Sequence, residues 1–468
     1  METPVKYTSS EMKTVLIACC AGVFITALMS TMMNMALVHI GTDFSVGSKS
    51  LAMVNTSFLL ASVIVMVPLA RLSDIAGRKK IFVAGLVITI VSALIAAFSP
   101  NFEILLLMRL LMGAGSAALS LAGVAMLTDI FPRERRGWAI GVQSTFVYLG
   151  IAIGPALGGF ICDFLGWRAL FFFMIPFAFV ALFFILGFKK EIISDKDAKM
   201  DCRGSFLYGV TIVLTMYGAI NMPEIWAVAL VAAGLIMLCV FVAVMKRTKS
   251  PVLDLGVFKH KAFSRSCMAA YMNYASSYSV SFFIALYLQS IGALSASHAG
   301  LVMLIQPLVQ VALTAKFGSY SDKIKDKRIL PTAGMAITCA AVLIIIFLGT
   351  EMNLIHVLSA LILLGLGYAM FAAPNTNTIM SSVPPKNRGE ASGMISVVRQ
   401  AGMMTSMGIA MCCISLIMGT ADSINPSTYG QFVGVIKAAF SVCLAMCIAG
   451  VIFSWFRGDA DEEYAESE

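Results

Sequence analysis

Two arginines, Arg109 and Arg399, lie deep inside long apolar stretches of this chain, and no Asp or Glu lies as deep. Asp129 and Glu390 fall at one set of stretch ends, and Asp43, Glu103, Asp163, Glu224, Glu351 and Asp422 at the other or between stretches. A cation inside hydrocarbon costs several kcal/mol unless it is paired or solvated, so each arginine is a candidate functional residue. The alternative for each is a structural contact with backbone carbonyls. A proton carrier needs a group whose pKa can swing across physiological pH, usually a partly buried carboxylate or His. His39, His260, His298 and His356 form no cluster, and the carboxylates are all at ends. Proton movement therefore uses an end carboxylate or is absent. A site with deep cations and no deep acid should prefer neutral, zwitterionic or anionic amphiphiles to lipophilic dications.

Asp74 and Arg78 flank a break between two apolar stretches, and Asp129 ends another on the same side. Together they can form a partly desolvated carboxylate–guanidinium–carboxylate latch. Gly77 between them permits a tight turn, and Lys79 adds a second cation. The alternative is a charge cluster that only fixes topology. A third constellation is the run Gly150–Gly159 within one apolar stretch. Gly150, Gly154 and Gly158 fall on one helix face, where a neighbouring backbone can approach closely. Pro155 removes the hydrogen bond to the Ile151 carbonyl, and Gly159 adds a further small residue. The run is either a tight helix contact or a bend at a moving interface.

The elements that must position these groups are transmembrane helices. Of the 468 residues, 59% are hydrophobic and 12% charged, and the mean hydropathy is +0.90. A soluble protein carries about a quarter charged residues. Spans of about 20 apolar residues are expected near 14–39, 49–70, 80–98, 104–129, 138–161, 168–188, 204–221, 225–245, 264–290, 297–316, 329–349, 353–379, 391–417 and 432–455. The chain thus reads as an all-α integral membrane protein of fourteen helices. Its Lys and Arg residues gather in alternate loops, including Arg78-Lys79-Lys80, Arg133/Arg135/Arg136, Lys189/Lys190 and Lys323/Lys325/Lys327/Arg328. The opposite loops hold only Lys49 and Arg168. That asymmetry predicts both termini in the cytoplasm. It also accounts for the net charge of +8 without a nucleic-acid partner, since the basic residues are dispersed among loops. The first apolar run is long enough to span and lacks a small-residue cleavage site, so no cleavable signal is expected. Eleven scattered Cys residues lack metal-ligand spacing and form no disulfide framework. No metal or other cofactor is expected.

The chain repeats itself. Ser73-Asp74 precedes Arg78-Lys79-Lys80 after the second span, and Ser321-Asp322 precedes Lys323 to Arg328 after the tenth. Two six-helix bundles, at about residues 1–190 and 251–457, are therefore expected to flank an inserted helix hairpin at about 191–250, with an acidic cytoplasmic tail at 458–468.

Five motifs carry a family resemblance. Asp74-x-x-Gly77-Arg78-Lys79 resembles the signature loop of the major facilitator superfamily. Arg109-x-x-Met112-Gly113-x-Gly115-x-Ala117 is similar to its fourth-helix motif, with Met112 where Gln is common. Gly150–Gly159 resembles the antiporter motif of its drug exporters. Pro251-x-Leu253-Asp254-Leu255-x-x-Phe258 and Gly389-x-Ala391-Ser392-Gly393, ahead of Arg399-Gln400, are similar to its fourteen-helix drug:proton antiporter branch. The resemblance implies a latch that supports the outward-open state, a proton-coupling role for Arg109, and a cavity lined by spans 1, 4, 9 and 12. Those spans and their neighbours offer Met29, Met33, Asn34, Gln143, Tyr271, Asn273, Tyr274, Gln306, Gln310, Asn375 and Asn377, together with Arg399. Met is adaptable and suits varied ligands, though generic apolar filling explains it equally.

Further departures include Val38, where a Pro often follows Ala-Leu. Met29 stands where related exporters often carry an Asp, and Ala70 where the signature loop usually has Gly.

The expected protein is a monomeric exporter of small amphiphilic molecules in the cell membrane, driven by proton antiport. A specific metabolite exporter or uncoupled facilitator, and a non-transporting membrane sensor, remain open. No nucleophile–base set appears, and no Gly-x-x-x-x-Gly-Lys-[Ser/Thr] loop, so neither catalysis nor ATP-driven transport is expected.

Overall fold

The computed structural model describes residues 7–192, 200–222, 224–248, 256, 258, 260–321, 324, 326–383, 388–419 and 424–458. Asp254 and most of its motif, Asp322, Lys323, Lys325, and the tail from 459 onward lie outside them.

Some helices start where the sequence supplies side-chain caps. Thr8 and Glu11 form a reciprocal capping box at α1 (Ser9–Thr31), satisfying two otherwise orphaned N–H groups. α2 (Met33–Phe44) continues α1 after a one-residue break at Met32. α3 (Ser48–Ala76) and α4 (Arg78–Ala97) meet at Gly77. Its φ of +111° is a conformation that L side chains rarely adopt. Asn101 caps α5 (Phe102–Ile130). α6 (Arg133–Leu165) is the longest element at 33 residues and runs through Pro155 without ending. α7 (Ala169–Gly187), α8 (Cys202–Ile220) and α9 (Ile225–Met245) follow. α10 (Lys261–Ser277) passes at Tyr278 into α11 (Ser279–Leu286) and one π turn, Tyr287–Ile291. α12 (Ala296–Met303) and α13 (Ile305–Ser321) are separated only by Leu304. α14 (Ile329–Ile346), α15 (Leu354–Ser381), α16 (Arg388–Ile417) and α17 (Tyr429–Trp455) complete the chain.

Among the described residues, twelve segments are long and apolar enough to cross a membrane, against the fourteen expected. The two that fall short are α8 and α10. α8 mixes Arg203, Ser205, Tyr208, Thr211 and Thr215 into 19 residues. α10 is only 17 residues long before its break and carries Lys261, Arg265 and Asn273.

Helices α1–α7 pack mainly on one another, and α10–α17 do the same. α8 and α9 pack together, and α8 lies against α3 and α16, one from each group. Tyr208 of α8 donates to the Val63 carbonyl of α3 at 2.9 Å. Direct contact between the groups runs through α6 with α12, α3 with α16, and α2 with α11. The side bearing Glu11, Asp74, Arg78, Asp129 and Lys190 is termed the basic face, and the opposite side the distal face.

Candidate functional site

At the basic face the expected cluster is assembled. Arg78 pairs with Asp74 at 3.0 Å and with Asp129 at 2.6 Å. It also donates to the Ala125 carbonyl at 2.6 Å. Its side chain is only 12% exposed, against 32% and 26% for the two carboxylates. α3, α4 and α5 are thus tied by one guanidinium. Sequence reasoning missed a further strap. The Glu191 carboxylate accepts from the Lys79 N–H at 3.0 Å, and the Ile192 carbonyl accepts from the Arg78 N–H at 2.9 Å. The Lys79 ammonium reaches the Phe188 carbonyl, and Lys190 pairs with Glu11 at 2.9 Å. The only sequence signal was a charged linker, because the partners are more than 100 residues apart.

In the second group the equivalent loop is partly described. Arg328 hydrogen-bonds both carboxylate oxygens of Asp326 at 2.8 and 2.9 Å. That bonding holds the Asp326 carboxyl below its ordinary pKa range.

The Gly150–Gly159 run has two working faces. Gly150 packs on Phe24 and Ala27, Gly154 on Thr31, and Gly158 on Met32, all within the first group. Thr31 donates to the Ala27 carbonyl at 2.9 Å and to the Gly150 carbonyl at 3.4 Å. The other face crosses to the second group. A Cβ on Gly159 would overlap the Ala296 carbonyl, and one on Gly300 would overlap the Pro155 carbonyl. One turn further, Asp163 accepts from the Ala296 N–H at 3.2 Å and the Ser297 N–H at 2.8 Å. This carboxylate caps α12 from the opposite group, where partial positive charge favours an anion. His39 of α2 lies 4.0 Å from it. Toward the basic face, Gly137 and Gly141 of the same α6 face open space. The helix therefore meets the second group at its distal end, while Ala139 and Gln143 nearer the basic face are buried.

Arg109 is fully buried. It donates to the Val54 carbonyl at 3.1 Å and the Met29 carbonyl at 3.2 Å, and its guanidinium lies 4.6 Å from the Phe58 ring centroid. α3 comes this close because Gly113 leaves room for the Phe58 carbonyl. The position that resembles an exporter's Asp thus supplies a backbone oxygen instead. One Arg109 amine, Nη2, is buried without a hydrogen-bond partner.

The expected cavity residues divide. Met29 and Met33 are completely buried and belong to the apolar core. Asn34 accepts from Asn55 at 2.8 Å. Asn375 donates to the Ser266 carbonyl at 3.1 Å and accepts from Arg457 at 3.0 Å, so it joins α10, α15 and the end of α17. Asn273 and Gln143 are buried, with Asn273 Nδ2 and Oδ1 and Gln143 Nε2 unsatisfied. Gln310 is 9% exposed. Tyr271, Tyr274, Gln306 and Arg399 are half-buried, and Asn377 is exposed. Tyr271 and Thr405 hydrogen-bond at 2.8 Å. Two residues not anticipated join the groups or face them. Tyr278 and Ser30 approach to 3.3 Å across the interface, and Tyr148 of α6 lies within electrostatic reach of Tyr274 and Arg399. Neither tyrosine stood out in the sequence, since nothing in a helix pattern shows which face meets a second bundle.

Helical groups in this arrangement match solved membrane transporters. A POT family transporter crystallised with 5-aminolevulinic acid superposes with a TM-score of 0.71 over 94% of this chain and 96% of its own, at 13% identity. A bacterial homologue of the human lysosomal transporter Spinster gives 0.67 over 99% of each chain, at 17% identity. The fold is therefore that of a multi-pass helical transporter. The chain belongs to the Major Facilitator Superfamily, whose model matches residues 19–407 and 267–467. It is a membrane transporter and not an enzyme. Among curated relatives, a riboflavin transporter, RibZ, of Clostridioides difficile is 26% identical, aligned over 94% of this chain and 96% of its own. The multidrug resistance protein Stp of Mycobacterium tuberculosis is 26% identical over 88% and 77%. The lincomycin resistance protein LmrB of Listeria monocytogenes is 25% identical over 92% and 94%.

Proposed function

We propose that this chain exports small amphiphilic organic molecules from the cell by alternating access. The observation that carries the reading is α6, whose Gly/Pro run contacts both helical groups. Two bundles, α1–α7 and α10–α17, rock about a site between them, with α8 and α9 as an inserted pair. α8 and the α10–α11 segment are counted as spans, making fourteen. The basic face is cytoplasmic by the positive-inside rule.

Proton antiport is the favoured driving mode. Its support is the exporter-type α6 run and the resistance proteins among the relatives. A specific metabolite exporter or an uncoupled facilitator is the second reading, favoured by Met29 in place of a mid-span acid and by the riboflavin transporter. Proteoliposome flux of an amphiphilic dye, with and without a pH gradient, separates them. An antiporter follows the gradient, a facilitator ignores it, and absence of flux for a whole compound panel overturns the transport-cycle reading in favour of a sensor.

The Asp74–Arg78–Asp129 cluster acts as a conformational latch. Asp74→Asn removes one charged partner of a 12%-exposed guanidinium while leaving Asp129. A charge-assisted bond contributes about 1.5–3 kcal/mol, reduced here by solvent screening. The expected result is a several-fold loss of flux at unchanged membrane abundance. Wild-type flux at matched abundance removes the latch from the mechanism.

A further inference from the structure

Arg109, Arg457 and Arg399 differ in what their donors meet. Arg109 is fully buried and spends its Nε and Nη1 on two carbonyls behind the Phe58 ring. Arg457 is also fully buried and is enclosed by Asn375, Ser266 and Ser454. Arg399 is different. It is half-buried on α16, eleven residues in from Arg388. Among the described residues it makes no ion pair and no hydrogen bond. The helix turn above it, at Gly402, packs directly on the backbone of Tyr271 and the side chain of Tyr274. Tyr148, from the other helical group, shares the local field with Arg399 and Tyr274.

A guanidinium at that depth needs a counter-ion or water. Among the described residues none provides the counter-ion: no Asp or Glu lies mid-span in α16, or in α3, α8, α10, α11, α15 and α17, which pack against it. Phenol hydroxyls favour the same partner, since each can donate to an anion, and their ring faces accept a flat apolar body. Guanidinium is the side chain suited to bidentate recognition of carboxylate, sulfonate or phosphate oxygens. We infer that Arg399, with Tyr274, forms the subsite for the anionic head of a planar aromatic amphiphile. This rests on the transport reading above. The substrate carries the counter-charge that the helices omit.

The test uses two dyes of one skeleton, 1-anilinonaphthalene-8-sulfonate and N-phenyl-1-naphthylamine, which differ by the sulfonate. Binding is titrated on the full chain in nanodiscs, with empty nanodiscs subtracted, and flux of each dye is measured in proteoliposomes. The sulfonate dye is expected to bind at least tenfold more tightly than the neutral one. Arg399→Gln is expected to erase that preference while leaving neutral-dye affinity within twofold, and Arg399→Lys to keep part of it. Equal affinity for the two dyes in the wild-type chain overturns the subsite, as does failure of both to bind. Equal weakening of both dyes by Arg399→Gln with no recovery in Arg399→Lys also overturns it, because that pattern reports a structural arginine. Neutral-dye flux without an anion preference defeats only this inference. Absence of flux for either dye and for the compound panel defeats the transport reading itself.

Discussion

Gly159→Leu is expected to hold the two helical groups apart on the distal face and to lower flux at least tenfold. The reason is the close approach of α6 to α12. Even the first carbon of a side chain at Gly159 overlaps the Ala296 carbonyl, and backbone cannot swing aside as a flexible side chain can. α6 has two faces, so neighbouring substitutions should differ in kind. Gly154 packs on Thr31 inside its own group. Gly154→Leu should also impair transport, more than it impairs substrate binding, but through packing that persists across the cycle. Gly159→Leu should act on one state only. Cys162 gives a reporter, being 3% exposed and next to the clamp. In a chain whose other cysteines are replaced, Cys162 labelling by a membrane-impermeant maleimide should rise several-fold with Gly159→Leu and little with Gly154→Leu. Normal flux in Gly159→Leu, or unchanged labelling, means that the groups do not close on this contact.

Asp163→Asn should loosen the same closure by a different route. The carboxylate receives two N–H groups at the start of α12, an arrangement that favours a full negative charge. An amide retains one acceptor oxygen and loses the charge. Losing one charge-assisted bond costs about 1.5–3 kcal/mol, which shifts a two-state equilibrium by roughly ten- to a hundred-fold toward the open distal face. Asp163 is 21% exposed with His39 beside it, so screening moves the expected value to the lower end. Two measurements check it: distal accessibility of Cys162 should rise, and the salt dependence of that accessibility in the wild-type chain should weaken in the variant. Asp163→Glu keeps the charge on a longer arm and should recover part of the closure. If Asn and Glu behave alike, the charge on α12 is not what holds the face shut.

The class of this protein was readable directly from its residues. Fifty-nine per cent hydrophobic composition and the long apolar runs leave only membrane helices, because hydrocarbon admits only helices and closed barrels and unbroken apolar runs lack a barrel's alternation. The Asp74–Arg78–Asp129 cluster was readable for a local reason. Asp74 and Arg78 are four residues apart around a glycine turn, and Asp129 ends a helix on the same side, so few geometries keep them apart. The Gly150–Gly159 run was legible as a close contact because small residues four apart define a helix face whatever packs on it.

What packs on that face was decided only by tertiary structure. The run meets α1 through one set of glycines and α12 of the other group through Gly159 and Pro155. Periodicity gives the angle of a face on its own helix but not the identity of a neighbour about 140 residues away in the chain. The same limit explains the polar residues. Asn34, Asn375 and Arg109 read as cavity or coupling groups because polar atoms are conspicuous in apolar spans. In the fold they meet Asn55, Arg457 and the carbonyls of Met29 and Val54. A buried polar group must find a partner, and that partner lies on another helix, so its position depends on how the bundles assemble. Arg399 and Tyr148 show the converse. Sequence marks one as a charge at depth and the other not at all, because periodicity does not say which face meets a second helical group.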